Sequence, residues 1–155
     1  MLEGCALSPL PRDLAIYLNR DIYAISELET IALSCYAGQT GANYVSDQSL
    51  SSALSSNIIP VYERFFQLAG RIEPQTRPVQ ALHSLYLEAA SLRMRGFRTI
   101  LLALETQDSL LVQEANRMLA QGEHHVVLWR SEMADLAKGY GLNLEGMTAG
   151  PSNQN

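Results

Sequence analysis

Three histidines and two cysteines are the side chains with which this 155-residue chain could hold a metal or attack a substrate. The histidines are His83, His124 and His125, and the cysteines are Cys5 and Cys35. Carboxylate-bridged metal bundles space Glu and His three residues apart, so that both ligands leave one helix face. Here the residues three before each histidine are Gln80, Gln121 and Gly122, and the pattern fails each time. His-Glu-x-x-His, which places two zinc ligands one turn apart, is missing as well. The cysteines are too far apart for a zinc-finger pair and too few for a disulfide scaffold. Met94, Met118 and Met133 could serve a haem as axial ligands, but they fall at core spacing, where methionine fills gaps. The expectation is no metal and no cofactor.

Nucleophilic chemistry finds no better support. Gly-x-Ser-x-Gly, the strained elbow that exposes a serine, does not occur. Cys35 falls on an apolar helical seam, where a thiol behaves as a small core residue. Gly38-Gln39-Thr40-Gly41 is not followed by Lys-Ser/Thr, so it is no phosphate-cradling loop. We expect no enzyme.

Composition bounds the rest. Eleven Lys+Arg against 16 Asp+Glu give a net charge of −5, which leaves no basic footprint for nucleic acid. At 47% hydrophobic residues the chain is too apolar for disorder. The longest charge-free stretch, residues 30–46, contains Gln39, Asn43 and two glycines and cannot be a transmembrane helix.

Apolar residues recur at helical spacing almost throughout, and alternation of the strand type is missing. Helix 1 is expected over about 11–37, with Ser8 as cap, Pro9 or Pro11 in the first turn, and a seam of Leu14, Leu18, Ile22, Ile25, Leu28, Ala32 and Cys35. Helix 2 is expected from Ser46 or Asp47 to about Ile72, with Leu50, Leu54, Ile58, Val61, Phe65, Leu68 and Ile72 inward. Pro60 should kink or break it and push Ile59 from helical angles. Helix 3 should start at a Thr76 cap and run to about Glu105, with His83, Tyr86 and Phe97 on its seam. Helix 4 should follow a turn at 106–108 and end at about Tyr140, before Gly141. A continuous rod across 106–108 is the alternative, because that turn has neither Gly nor Pro.

These four segments with short links predict an all-α, up-down-up-down antiparallel four-helix bundle over residues 11–142. Residues 1–10 read as a flexible start and 143–155 as a disordered tail. In that register His83 and His125 lie about 9 Å apart along the axis, too far to share one metal ion. Asp21 should pair with Arg64 across the first hairpin, and Arg93 and Arg98 should reach Glu123 and Glu114 across the second.

The strongest anomaly is charge depletion. Residues 30–62 carry one charge, Asp47, where the chain-wide 17% would give about five or six. Serines decorate helix 2 where a free surface normally carries Lys and Glu. Interface cores are depleted of charge in the same way. Tyr44, Ser49, Ser52, Ser56 and Tyr62 are therefore the candidate interaction surface, for a homodimer or another protein partner. The function expected is a non-enzymatic interaction or scaffold module; the alternative is a bundle holding a small apolar ligand between its helices.

Pro78, Leu82-His83, Tyr86, Ala89-Ala90, Asp108, Ala115, Leu119 and Gly122 together resemble helical-hairpin segments of uncharacterised bacterial proteins, many of them exported or lipid-anchored. The resemblance covers residues 78–140, under half the chain. It implies a helical hairpin and no activity, so no functional residue follows from it. It gives weight to Leu2-Glu3-Gly4-Cys5 as the remnant of a lipoprotein signal, which would place the protein at the cell envelope; the chain as written reads as cytoplasmic.

Overall fold

The computed structural model describes residues 9–142. Cys5, Ser8 and the tail from residue 143, on which the anchor, cap and disorder expectations fell, lie outside the described residues. Within them the chain is all-α, with four long helices and no strand. Helix α1 covers residues 9–37 as an α-helix Pro9–Ile16, a π-helical stretch Tyr17–Ile22 and an α-helix Tyr23–Ala37. Helix α2 covers residues 47–69 and is built the same way, with Asp47–Ala53, a π-helical stretch Leu54–Ile58 and Ile59–Ala69. Helix α3 is Arg77–Thr106 and α4 is Ser109–Gly139.

The ends follow local chemistry. Ser46 caps α2 by accepting from the Ser49 N–H at 3.1 Å. Asp108 caps α4 by accepting from Leu110 N and Leu111 N, and Gln107 turns the chain through the left-handed region at φ 54°. Helices α3 and α4 are thus separate, and the continuous rod is excluded. Gly141, at φ 66°, takes the left-handed step that follows α4.

Pro60 does not break α2. Ile59 keeps helical angles (φ −61°, ψ −48°), contrary to expectation. The reason is the π-helical stretch just before it. The Ile59 N–H bonds five residues back to Leu54 O, and this wider turn relieves the contact between the proline ring and the preceding carbonyls. The extra residue in that turn also shifts the phase of the helix. Downstream of it Tyr62, Phe65 and Ala69 are fully buried, while Val61 and Leu68 are half-buried at the edge of the core.

Helices α3 and α4 pack as an antiparallel hairpin in the expected register. Arg93 meets Glu123, Glu88 faces His125, and Thr99 touches Met118. The approach is close at two glycines. A Cβ on Gly122 would stand 3.1 Å from the Ala89 carbonyl oxygen, and one on Gly96 would stand 2.7 Å from Leu119 Cδ2. Helix α1 meets α3 in parallel order: Tyr17 with His83, Glu29 with Arg93, Tyr36 with Phe97. The core is rich in rings. Tyr62 packs on Phe65 at 5.0 Å and on Phe97 at 5.3 Å, and Tyr86 packs on Trp129 at 4.9 Å.

Candidate functional site

The five residues of the candidate surface do not stay together. Tyr44, Ser52 and Ser56 are exposed. Ser49 is half-buried, and its hydroxyl donates to Gln39 Oε1 at 2.8 Å, which ties the loop 38–46 to α2. Tyr62 is 0% exposed and belongs to the core. Its assignment to the surface is corrected, and the cause is the phase shift at residues 54–58. The face that remains is Tyr44, Ser52 and Ser56 with the exposed Val45, Ser55 and Asn57. Its one charge, Asp47, accepts from the Tyr44 hydroxyl at 2.6 Å.

The ion pairs are redistributed. Asp21 pairs with its neighbour Arg20 at 2.7 Å instead of reaching Arg64. Arg98 pairs with Glu63 on α2 at 3.1 Å, not with Glu114. Arg93 does reach Glu123, at 2.6 Å, and also Glu29 on α1 at 2.7 Å. One buried arginine, 7% exposed, therefore bridges three helices. Burial alone would weaken its charge, but the oxygens of Tyr62, Glu29 and Glu123 outweigh that and raise its pKa. The Tyr86 hydroxyl donates to the other Glu29 oxygen at 2.9 Å.

A second buried polar group was invisible to spacing. Asp13, 7% exposed on α1, accepts from the backbone N–H groups of Gln75 and Thr76 and from the Thr76 hydroxyl, at 2.7–3.1 Å. It caps α3 from another helix, while Thr76 supplies no cap of its own. Burial opposes its ionisation, yet these hydrogen bonds together hold its carboxyl below 3.8.

The third group centres on His83, 4% exposed. Its Nε2 lies 3.0 Å from the Ala69 carbonyl oxygen and its Nδ1 lies 3.1 Å from the Tyr17 hydroxyl. Trp129 Nε1 lies 3.2 Å from that same hydroxyl. A carbonyl only accepts and an indole N–H only donates, so for a neutral imidazole every role is fixed. His83 Nε2–H donates to Ala69, Tyr17 O–H donates to His83 Nδ1, and Trp129 N–H donates to the Tyr17 oxygen. The chain matches no family model, no curated protein and no solved structure. The other two histidines lie apart from this relay. His125 is half-buried and bonds the Gln121 carbonyl at 2.8 Å, and His124 is exposed. Among the described residues no three His, Cys, Asp or Glu side chains gather as a metal site, and no helix is long and apolar enough to cross a membrane.

Two tyrosines test this description against each other. Tyr17 and Tyr62 are both buried, but the Tyr62 hydroxyl has no hydrogen-bond partner. Tyr17→Phe removes one oxygen and orphans both the Trp129 N–H and His83 Nδ1, so a loss of about 2–3 kcal/mol is expected. Tyr62→Phe removes an oxygen that makes no hydrogen bond and acts only through its electrostatic pull on Arg93, so a loss of no more than about 1 kcal/mol is expected. Urea denaturation of both variants decides it; equal losses would contradict the assignment.

Proposed function

We propose that this chain is a non-enzymatic interaction or scaffold module, built as an up-down-up-down four-helix bundle, that pairs with a second copy of itself through the uncharged face of α2 and the loop before it. The antiparallel α3–α4 hairpin and the parallel order of α1 and α3 support that topology. The observation that carries the function is the absence of charge from an exposed helix face. Ser52, Ser55, Ser56 and Asn57 all face solvent, and no Lys, Arg, Asp or Glu stands among them. Covering serines costs far less than desolvating ammonium or carboxylate groups. Two copies carrying −5 each repel wherever acidic surfaces meet. An uncharged face is where that repulsion is least. Tyr44 and Val45, 49% and 78% exposed, supply apolar contact beside it.

Lysines at Ser52 and Ser56 test the reading. Both positions are exposed, so helicity and melting temperature should be nearly unchanged. Sedimentation equilibrium should show the dimer dissociation constant raised at least about tenfold, equivalent to about 1.4 kcal/mol. A wild-type protein that stays monomeric at millimolar concentration would remove the proposal.

A further inference from the structure

We propose that His83 is an acid-sensitive clasp: a proton taken up at Nδ1 opens the junction at which all four helices are joined. The geometry makes the point. His83 stands on α3, bonds the last residue of α2 through Ala69 O, and bonds the π-helical stretch of α1 through Tyr17, whose oxygen holds Trp129 of α4. Protonated, the imidazole has two N–H donors and no acceptor. The Tyr17 oxygen then faces two donors, from His83 and Trp129, and its own proton has lost its acceptor. Two neighbours could rescue it. Asp21, one turn along α1, is engaged with Arg20 at 2.7 Å. Tyr86, whose ring centre lies 6.4 Å from that of His83, spends its hydroxyl on Glu29. On α2 the imidazole meets a carbonyl, and on α4 the relay meets an indole, neither of which titrates. The proton therefore reverses the Tyr17–His83 hydrogen bond and leaves the Tyr17 hydroxyl proton buried without an acceptor, and that penalty loosens α1 and α4 together.

Electrostatics sets the pH window. Burial lowers the His83 pKa from 6.5, against the smaller opposing pulls of the Ala69 carbonyl and the Asp21 charge. The unfolded chain thus takes up the proton first as pH falls. The stabilisation is complete above about 6.5 and is lost as pH drops towards the folded value.

The protein has one tryptophan, and it is a member of the relay. Trp129 emission between pH 8 and pH 5, followed beside far-ultraviolet circular dichroism, reads the clasp directly. Emission should shift to the red with a midpoint below 6.5, while helicity is retained. The transition should vanish in His83→Gln and persist in the double variant His124→Gln/His125→Gln. If His83→Gln does not fold, nitrogen-15 shifts of His83 in the wild type decide. The Nε2–H tautomer at pH 7.5, titrating with the Trp129 midpoint, supports the clasp. An Nδ1–H tautomer, a flat emission profile, or a transition that follows His124 and His125 would overturn it.

Discussion

Alanine at Arg93 is expected to destabilise the protein by about 3–5 kcal/mol, the range for removing one partner of a buried ion pair. The Arg93 and Glu29 side chains are 9% and 17% exposed, so truncating Arg93 leaves the Glu29 carboxylate largely shielded from water and without its cation. Tyr86 would remain its only hydrogen-bond donor from the present set. Glu123 is different. Its side chain is 57% exposed, so it returns to water when the pair breaks. Glu123→Ala should therefore cost no more than about 1 kcal/mol, although its contact with Arg93 is the shorter of the two. The pair Glu29→Gln/Arg93→Met should recover most of the Arg93→Ala loss, because glutamine still accepts from Tyr86 and methionine keeps the apolar volume. Chemical denaturation of the three variants beside the wild type measures this. Equal losses for Glu123→Ala and Arg93→Ala would show that burial does not set the scale.

Removing Asp13 should be nearly as damaging, at about 3 kcal/mol. Hydrogen bonds to a charged group contribute about 1.5–3 kcal/mol each, although several on one carboxylate do not add in full. Asp13→Ala leaves the Gln75 and Thr76 N–H groups without their acceptor and frees the first turn of α3 from α1. Asp13→Asn keeps the volume but loses the charge and one acceptor oxygen, so an intermediate loss is expected. The acid limb of the stability curve carries a second signature. The folded carboxyl is held below its ordinary 3.8, so its contribution is complete above that pH and is lost as pH falls through the folded value. The wild type should lose stability more steeply than Asp13→Asn below about pH 4, a window separate from that of His83. Parallel acid limbs in the two proteins would mean that Asp13 is not the tertiary cap described.

The amino-acid pattern was sufficient for the class of fold. Spacing of three and four residues made four helices, and local signals placed their ends: Ser46 before α2, Asp108 before α4, and Gly141 after it. Those features depend on residues a few positions apart, and such interactions survive translation into any tertiary context. The register of the α3–α4 hairpin was legible for the same reason, since a short turn leaves one way to align two long helices. The buried face of α2 was not. Its phase changes at residues 54–58, where a wider turn accommodates Pro60, and no spacing rule announces a π-helical stretch. Tyr62 therefore looked like a surface anchor and is core. Asp13, Tyr17, Glu29 and Trp129 acquired their roles only in three dimensions. Asp13 caps a helix that begins 64 residues later, and Tyr17 meets Trp129 across 112 residues. A hydrogen bond depends on where two atoms finally stand, and the packing of whole helices decides that. Sequence separation does not. Composition marked the charge-depleted stretch from residue 30 to 62; only the folded chain divided it into the exposed Ser52 and Ser56, the tethered Ser49 and the buried Tyr62.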